Sequence, residues 1–159
     1  MNIAAVLLWT VALTALGSRL TGTAREFARV AGVVLTVAAA VFAVYFRIHA
    51  MALPAAAARV VDGTSDPALH LSATEAVLFV LGATAFTAQG MLGLSMLLYG
   101  VAVAVSDRLP TALGWLGVLG GAGWLTGALL VDFAVIVPST VVCWIWTLVL
   151  AVVVARPRP

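Results

Sequence analysis

Long, continuous apolar stretches separated by short polar segments run along this chain, and the pattern predicts five membrane-spanning helices. The stretches cover residues 2–18, 27–50, 74–106, 111–131 and 133–155. A helix needs ~20 mostly apolar residues to cross the ~30 Å hydrocarbon core of a bilayer. The runs do not alternate between apolar and polar positions, so they favour helices over barrel strands. We therefore expect an all-α membrane bundle, with residues 1–159 forming one domain.

The composition supports a lipid environment for these helices. Hydrophobic residues make up 64% of the chain and charged residues 9%, whereas about one quarter of a soluble domain is charged. A chain of this composition cannot cover itself with a polar surface, so the lipid bilayer is its first expected partner. The net charge of +2 is too small and too dispersed to indicate a nucleic-acid partner. All eight basic residues are arginine, which favours a bacterial protein, and we expect it in the inner cell membrane.

The distribution of arginines predicts the orientation of the spans. If all five stretches cross the membrane, one side holds Arg19, Arg25, Arg29, Arg108, Arg156 and Arg158. The other side holds Arg47 and Arg59. Because cytoplasmic segments are enriched in Arg and Lys, the N-terminus is predicted outside and the C-terminus in the cytoplasm. No basic residue precedes the first stretch, so it is interpreted as an uncleaved span rather than a signal peptide.

Residues 51–73 form the longest predicted connection, on the outer side. The alanine-rich segment Met51–Val61 could be a short helix at the membrane interface, or it could continue the second span and break at Pro54. Residues 62–67 have the composition of a turn. The sequence leaves open whether the connection is helical.

Ser72-Ala73-Thr74-Glu75 has the capping-box pattern, in which the serine and glutamate side chains satisfy each other's backbone N–H groups. This pattern predicts that the third span begins here. A helix over residues 74–106 is longer than a bilayer crossing requires, so it should tilt, project or kink. Gly90 and Gly93 are the expected weak points if it kinks.

The fourth stretch is rich in glycine, and two pairs have the GxxxG spacing. These pairs are Gly117 with Gly121 and Gly123 with Gly127. Small residues at this spacing allow helix backbones to approach closely in a membrane. The packing face could be used within one chain or between copies, so a homo-oligomer is a possible partner arrangement.

Six polar side chains are candidates for function, because ionisable and amide groups are costly to bury in a bilayer. Five are predicted near the outer membrane face: Arg47, His49, His70, Glu75 and Asp132. The sixth, Gln89, lies near the middle of the third span and could contact a ligand. Arg47 could be neutralised by either carboxylate, which would create a polar site beside the apolar spans.

Each candidate also has a purely structural interpretation. Arg47 could extend toward the headgroups, and both histidines could be interfacial polar residues. Glu75 could complete the capping box, and Asp132 could cap the fifth span. Gln89 could form an interhelical hydrogen bond.

Motifs for metals, cofactors and covalent catalysis are missing from the sequence. It contains no HExxH, CxxC, P-loop or GxSxG pattern. The single cysteine, Cys143, cannot form an intrachain disulfide, and two histidines without helical ligand spacing do not make a metal site. We therefore predict neither a metal ion nor a cofactor.

The segments 90–100, 106–110 and 113–124 resemble a family of bacterial multi-span membrane proteins known only as a domain of unknown function. The shared pattern is a long helix ending in a basic residue, then Leu-Pro, then a small-residue-rich helix beginning near Gly-Trp-Leu-Gly. The resemblance covers about residues 27–131. It implies a helical membrane fold, usually of six spans, and brings no catalytic residues with it.

Three functions are consistent with these features. The scarcity of convergent polar groups favours a non-catalytic protein, either an accessory subunit of a membrane complex or a binder of a small lipophilic molecule. A membrane enzyme acting on a lipid or isoprenoid, such as an acid-initiated cyclase, could use Glu75 or Asp132 as its acid. A transporter or channel subunit would need more polar residues along a water-filled path.

Overall fold

The chain folds into five α-helices in a computed structural model that describes residues 3–61, 63 and 67–155. They are α1 (Ile3–Ser18), α2 (Gly22–Val61), α3 (Pro67–Ala104), α4 (Thr111–Leu130) and α5 (Phe133–Ala155). The described ranges contain no strand. Helices α2 to α5 are long and apolar enough to cross a membrane, and α1 is a shorter apolar helix. The prediction of an all-helical protein compatible with a membrane bundle is confirmed.

Each helix packs against the next helix in the chain, and α3 is central because it packs most extensively, against both α2 and α4. The first helix lies antiparallel to α2, where a β-carbon on Gly17 would lie 3.2 Å from the Ala28 β-carbon. It also reaches α5, because the Trp9 indole nitrogen donates a 3.0 Å hydrogen bond to the Thr147 hydroxyl. The Trp9 ring stacks on Trp144 at a centroid distance of 5.0 Å. These contacts close the bundle.

The backbones of α3 and α4 touch through glycines on both helices. A β-carbon placed on Gly121 would collide with the backbone of Leu97, and one on Gly100 would collide with the backbone of Val118. Without a hydrophobic driving force between lipid-immersed helices, such close van der Waals contact supplies much of the packing energy. Glycine at these positions is therefore required for the central helix pair.

Four glycines of α4 face α5, namely Gly117, Gly120, Gly123 and Gly127. The indole of Trp146 occupies the space beside Gly117, where a β-carbon would lie 2.7 Å from the ring, and Gly127 lies against Ile136. The Trp146 indole nitrogen also donates a 2.8 Å hydrogen bond to the Leu113 carbonyl. Gly117 thus faces α5 whereas Gly121, its GxxxG partner, faces α3. Both contacts lie within one chain.

The connection predicted over residues 51–73 is much shorter in the structure. Helix α2 continues through Pro54 to Val61, and α3 begins at Pro67. The proline removes one backbone hydrogen bond, but the alanines around it strongly favour helix. Gly63 between the two helices has a positive φ of 62°, as a turn there requires, and residues 62 and 64–66 lie outside the described part of the chain.

The capping pattern at Ser72 does not mark the first turn of the helix, although the apolar segment long enough to cross a membrane begins at Leu71, close to the predicted start of the third span. Helix α3 begins five residues earlier, at Pro67, because proline is favoured in the first turn of a helix, where its missing N–H has no partner to lose. Ser72 and Glu75 therefore lie inside the helix. The helix is continuous to Ala104, so its excess length appears as projection.

The helical hairpin of α2 and α3 extends beyond the other helices. Phe86 of α3 contacts Phe133, the first residue of α5, with ring centroids 5.4 Å apart. The nineteen residues 67–85 of α3 therefore extend about 28 Å past the α4–α5 turn, at ~1.5 Å per residue. We call this part of α3, with the C-terminal end of α2 beside it, the hairpin extension.

Candidate functional site

The two carboxylates predicted at the outer face, Glu75 and Asp132, do not share one site. Glu75 lies in the hairpin extension, eleven residues before Phe86, and is thus about 16 Å along the helix axis from the level of Phe133. Asp132 immediately precedes Phe133. The two carboxylates are therefore too far apart to share a substrate atom or a proton.

The remaining outer candidates also lie apart from a common pocket. Arg47 and His49 are exposed residues of α2, and the His49 ring is 5.7 Å from the Tyr45 ring. His70 is in α3, but its side chain lies outside the described part of the structure. Among described residues, the one ion pair is between Arg29 and Glu26, so Arg47 is not neutralised by a described carboxylate.

Asp132 and Gln89 make contacts that explain their positions structurally. An Asp132 carboxylate oxygen accepts a 2.8 Å hydrogen bond from the Ala134 backbone N–H, which makes Asp132 the N-cap of α5. The Gln89 carbonyl oxygen accepts a 2.6 Å hydrogen bond from the Trp124 indole. Gln89 thus joins α3 to α4 inside the bundle.

A more developed site lies at the opposite end of the molecule, which we call the arginine-rich end. It is defined by Arg19, Arg25, Arg29 and Arg108. Here the facing surfaces of α1 and α2 form an open groove of about 490 Å³. Its polar rim includes Ser18, Arg25 and Arg29, and its apolar wall includes Val33 and Val37.

Tyr99 of α3 forms the floor of this groove, which we call the Tyr99 groove. Its side chain is 0% exposed and reaches between α1 and α2, where Gly17 and Gly32 leave space for it. By distance and angle the hydroxyl makes no hydrogen bond to a described residue, and the Thr14 hydroxyl beside it is only a weak polar neighbour that interacts with it electrostatically. An unpartnered buried hydroxyl costs about 1–3 kcal/mol, so an added acceptor at this point would be stabilised.

The rim of the groove is positively charged. Arg25 and Arg29 lie one turn apart on the same face of α2, and both are exposed. Glu26 pairs with Arg29 at 3.0 Å but leaves Arg25 uncompensated among the described residues. An anion at the rim would be attracted to this pair of guanidinium groups, which are suited to bidentate binding of phosphate or carboxylate.

The chemistry available in the groove is that of binding. The side chains that line it include no carboxylate, histidine or cysteine, so they supply no general base near neutral pH. The Ser18 hydroxyl donates a hydrogen bond to the Ala15 carbonyl at 2.8 Å and has no base among the lining residues to activate it. The charged rim and apolar wall of the groove suit an anionic, partly apolar molecule.

Two further pockets flank the other side of α1. A cleft of about 250 Å³ separates α1 from α5, and a pocket of about 510 Å³ lies at the arginine-rich end. Arg19 lines both, and Arg108 lines the second. Neither contains a buried polar atom without a partner among the described residues, which distinguishes them from the Tyr99 groove.

Sequence reasoning missed the Tyr99 groove for a physical reason. In the sequence, Arg25 and Arg29 serve only as signals of orientation, and Tyr99 lies within a leucine- and glycine-rich run that gives no sign of what surrounds it. A useful signal was the tyrosine itself, since a hydroxyl in the middle of an apolar span needs a partner. Its packing against Gly17 of α1 and Gly32 of α2 depends on how these two helices pack against α3.

Comparison with known proteins identifies no relative. No model of a protein family matches the chain, and neither the curated proteins nor the solved structures contain a match. The resemblance over residues 27–131 to a family of unknown function therefore stays a prediction.

Proposed function

We propose that this is a five-span, non-catalytic protein of the inner cell membrane that binds a lipophilic anion in the Tyr99 groove. Its N-terminus lies outside and its arginine-rich end faces the cytoplasm. The observation that carries the binding function is the buried Tyr99 hydroxyl without a hydrogen-bond partner, below a rim of two exposed arginines.

The orientation is supported by the clustering of arginines where helices end. Arg19 follows α1, Arg25 is in the first turn of α2, and Arg108 follows α3. Cytoplasmic ends of membrane helices carry such an excess. With sixteen residues, α1 is about 24 Å long and spans most of the hydrocarbon core, which supports five crossings.

A topology experiment tests this arrangement in a bacterial host. Green fluorescent protein fused after Pro159 should fluoresce, and alkaline phosphatase fused there should be inactive. Alkaline phosphatase inserted at Gly63 should be active, because Gly63 lies at the opposite end of the bundle. An active phosphatase after Pro159 would contradict the proposed orientation, and activity at both positions would contradict the three crossings proposed between Gly63 and the cytoplasmic tail.

Binding rather than catalysis is supported by the separation of the acids. The enzyme hypothesis used Glu75 or Asp132 beside an apolar cavity, but the three pockets described above contain neither residue. The charged rim and apolar wall of the Tyr99 groove instead match an amphiphile with a negative headgroup. Lipid headgroups are attracted to surface arginines by about 1 kcal/mol per residue.

The Arg25→Ala/Arg29→Ala double variant should lose most of its preference for anionic lipid. The wild-type and variant proteins are purified in phosphatidylcholine nanodiscs that contain a small fraction of phosphatidylglycerol. Native mass spectrometry then measures the ratio of phosphatidylglycerol to phosphatidylcholine that each protein retains. Removing two arginines at about 1 kcal/mol each predicts a loss of roughly tenfold to thirtyfold in preference for phosphatidylglycerol.

The matched control is Arg59→Ala, which removes an exposed arginine from the other end of the same helix. It should retain the wild-type preference. An unchanged preference in the double variant would overturn the proposed site, and so would an equal loss in the Arg59 control.

A further inference from the structure

We infer that the occupant of the Tyr99 groove is a diacyl glycerophospholipid, with its phosphate at Arg25 and Arg29 and an ester carbonyl that accepts a hydrogen bond from the Tyr99 hydroxyl. This inference rests on the proposed function and adds the chemical class of the ligand. Its basis is the order of charged, polar and apolar groups along the groove.

The order can be measured along α2. The Tyr99 hydroxyl oxygen is level with Gly32, since it would lie 3.2 Å from a β-carbon there. Arg29 lies three residues nearer the arginine-rich end and Arg25 seven residues nearer, which is about 4.5 Å and 10 Å at ~1.5 Å per residue. Val33 and Val37 lie on the deeper side. The groove therefore presents cations first, then one unsatisfied donor, then an apolar wall.

A glycerophospholipid presents complementary groups in the same order. Its phosphate carries the negative charge, its ester carbonyls follow a few covalent bonds deeper, and its acyl chains follow the carbonyls. An ester carbonyl is an acceptor without a donor, which suits the Tyr99 O–H. A fatty acid would place its carboxylate at the arginines and only hydrocarbon beside Tyr99, and inorganic phosphate would leave the apolar wall empty.

The glycine at position 32 gives the carbonyl a route to the hydroxyl. Any side chain there would press on the Tyr99 oxygen, whereas glycine leaves the approach from α2 open. On the α1 side the neighbour is Thr14, whose exposed side chain can rotate away as the lipid enters. The hydroxyl is thus buried beside Thr14, and the inference requires the Thr14 side chain to rotate when the ester carbonyl binds.

The experiment compares ester-linked with ether-linked phosphatidylglycerol, because the ether lipid keeps the phosphate and chains but lacks both carbonyls. Nanodiscs are made from ether-linked phosphatidylcholine so that the bulk lipid offers no competing ester. Wild-type protein should retain the ester form about fivefold better in native mass spectrometry, as one hydrogen bond would predict. Tyr99→Phe should bind both forms equally.

The controls separate this inference from the proposed function. Tyr45→Phe, which removes the hydroxyl of a half-buried tyrosine on α2, should keep the ester preference. Gly32→Ala should reduce the ester preference while leaving the Tyr99 residue unchanged. It therefore provides a second test if Tyr99→Phe folds poorly. Equal binding of both lipids by wild type, with the preference for anionic lipid intact, would overturn the ester contact alone.

Two further outcomes bear on the source of the anion. Millimolar glycerol phosphate should not displace phosphatidylglycerol, because it lacks acyl chains for the apolar wall. Displacement by glycerol phosphate would overturn the assignment of a phospholipid as the ligand and would indicate a soluble phosphate compound instead. Absence of any preference for anionic over zwitterionic lipid in wild type would instead overturn the proposed function itself.

Discussion

Replacing Gly121 with alanine should lower the free energy of unfolding by about 3 kcal/mol, at the upper end of what one overpacked methyl group costs. The added carbon would collide with backbone atoms of Leu97, which cannot rotate away as a side chain could. Helices α3 and α4 would have to separate along their common interface. Close contact is a main source of stability between membrane helices, so the loss would spread to neighbouring residues such as Gly93 and Gly100.

The measurement is reversible unfolding in mixed micelles of a mild detergent and sodium dodecyl sulfate. Gly82→Ala is the matched control, because Gly82 lies in the partner helix α3 and no atom lies within 4 Å of the added carbon. That control should be neutral or stabilising by up to about 1 kcal/mol, from helix propensity alone. Equal stability of the two variants would show that the α3–α4 backbones are not in contact.

Replacing Trp9 with alanine should cost about 3 kcal/mol and loosen α1 from α5, since large aromatic truncations in a packed interior cost roughly 3–5 kcal/mol. Trp9 is the residue through which the two helices meet. Its ring stacks on Trp144 and lies 6.0 Å from the Trp124 ring, and its indole nitrogen bonds to Thr147. Deleting the ring removes all three contacts together.

Trp9→Phe separates the contribution of ring stacking from that of the indole hydrogen bond. It keeps an aromatic ring for stacking but removes the indole donor, so the loss should be limited to about 1 kcal/mol. Leu8→Ala is the control, because the neighbouring Leu8 side chain is 72% exposed and should be nearly neutral. A Trp9→Ala protein as stable as the Leu8 control would mean that α1 is held by α2 alone.

Much of the fold follows from sequence because lipid leaves the backbone few choices. Each apolar stretch must satisfy its own N–H and C=O groups, and a helix does so within the segment. Helix ends at Ser18 and Thr111 were therefore predictable from where polar residues interrupt the apolar runs. The role of Asp132 as the N-cap of α5 was predictable for a similar local reason.

The errors arose where local signals competed. The Ser72–Glu75 capping pattern is a genuine start signal, but a stronger one at Pro67 precedes it and the alanine- and leucine-rich residues between them continue the helix. Pro54 was expected to interrupt α2 or to separate it from an interfacial helix. One lost hydrogen bond did not end a helix whose flanking residues favour it.

The site was beyond sequence reasoning because proximity between helices is a tertiary property. Glu75 and Asp132 share the outer side in the predicted topology, but the contact of Phe86 with Phe133 shows how far apart they lie along the axis. In the same way, Tyr99 acquires significance only because Gly17 and Gly32 on two other helices leave room for its ring.

The unequal helix lengths give the protein two flanks of very different height. Helix α3, with 38 residues, offers a wall about 57 Å tall, whereas α4, with 20 residues, offers about 30 Å. The hydrocarbon core of a bilayer matches the height of the short flank. A bilayer in contact with the apolar surface of the tall flank would have to thicken locally. If the bilayer follows both heights, we expect the protein to favour neighbours whose facing flanks have the same height, because matched flanks reduce the cost of deforming the bilayer between them.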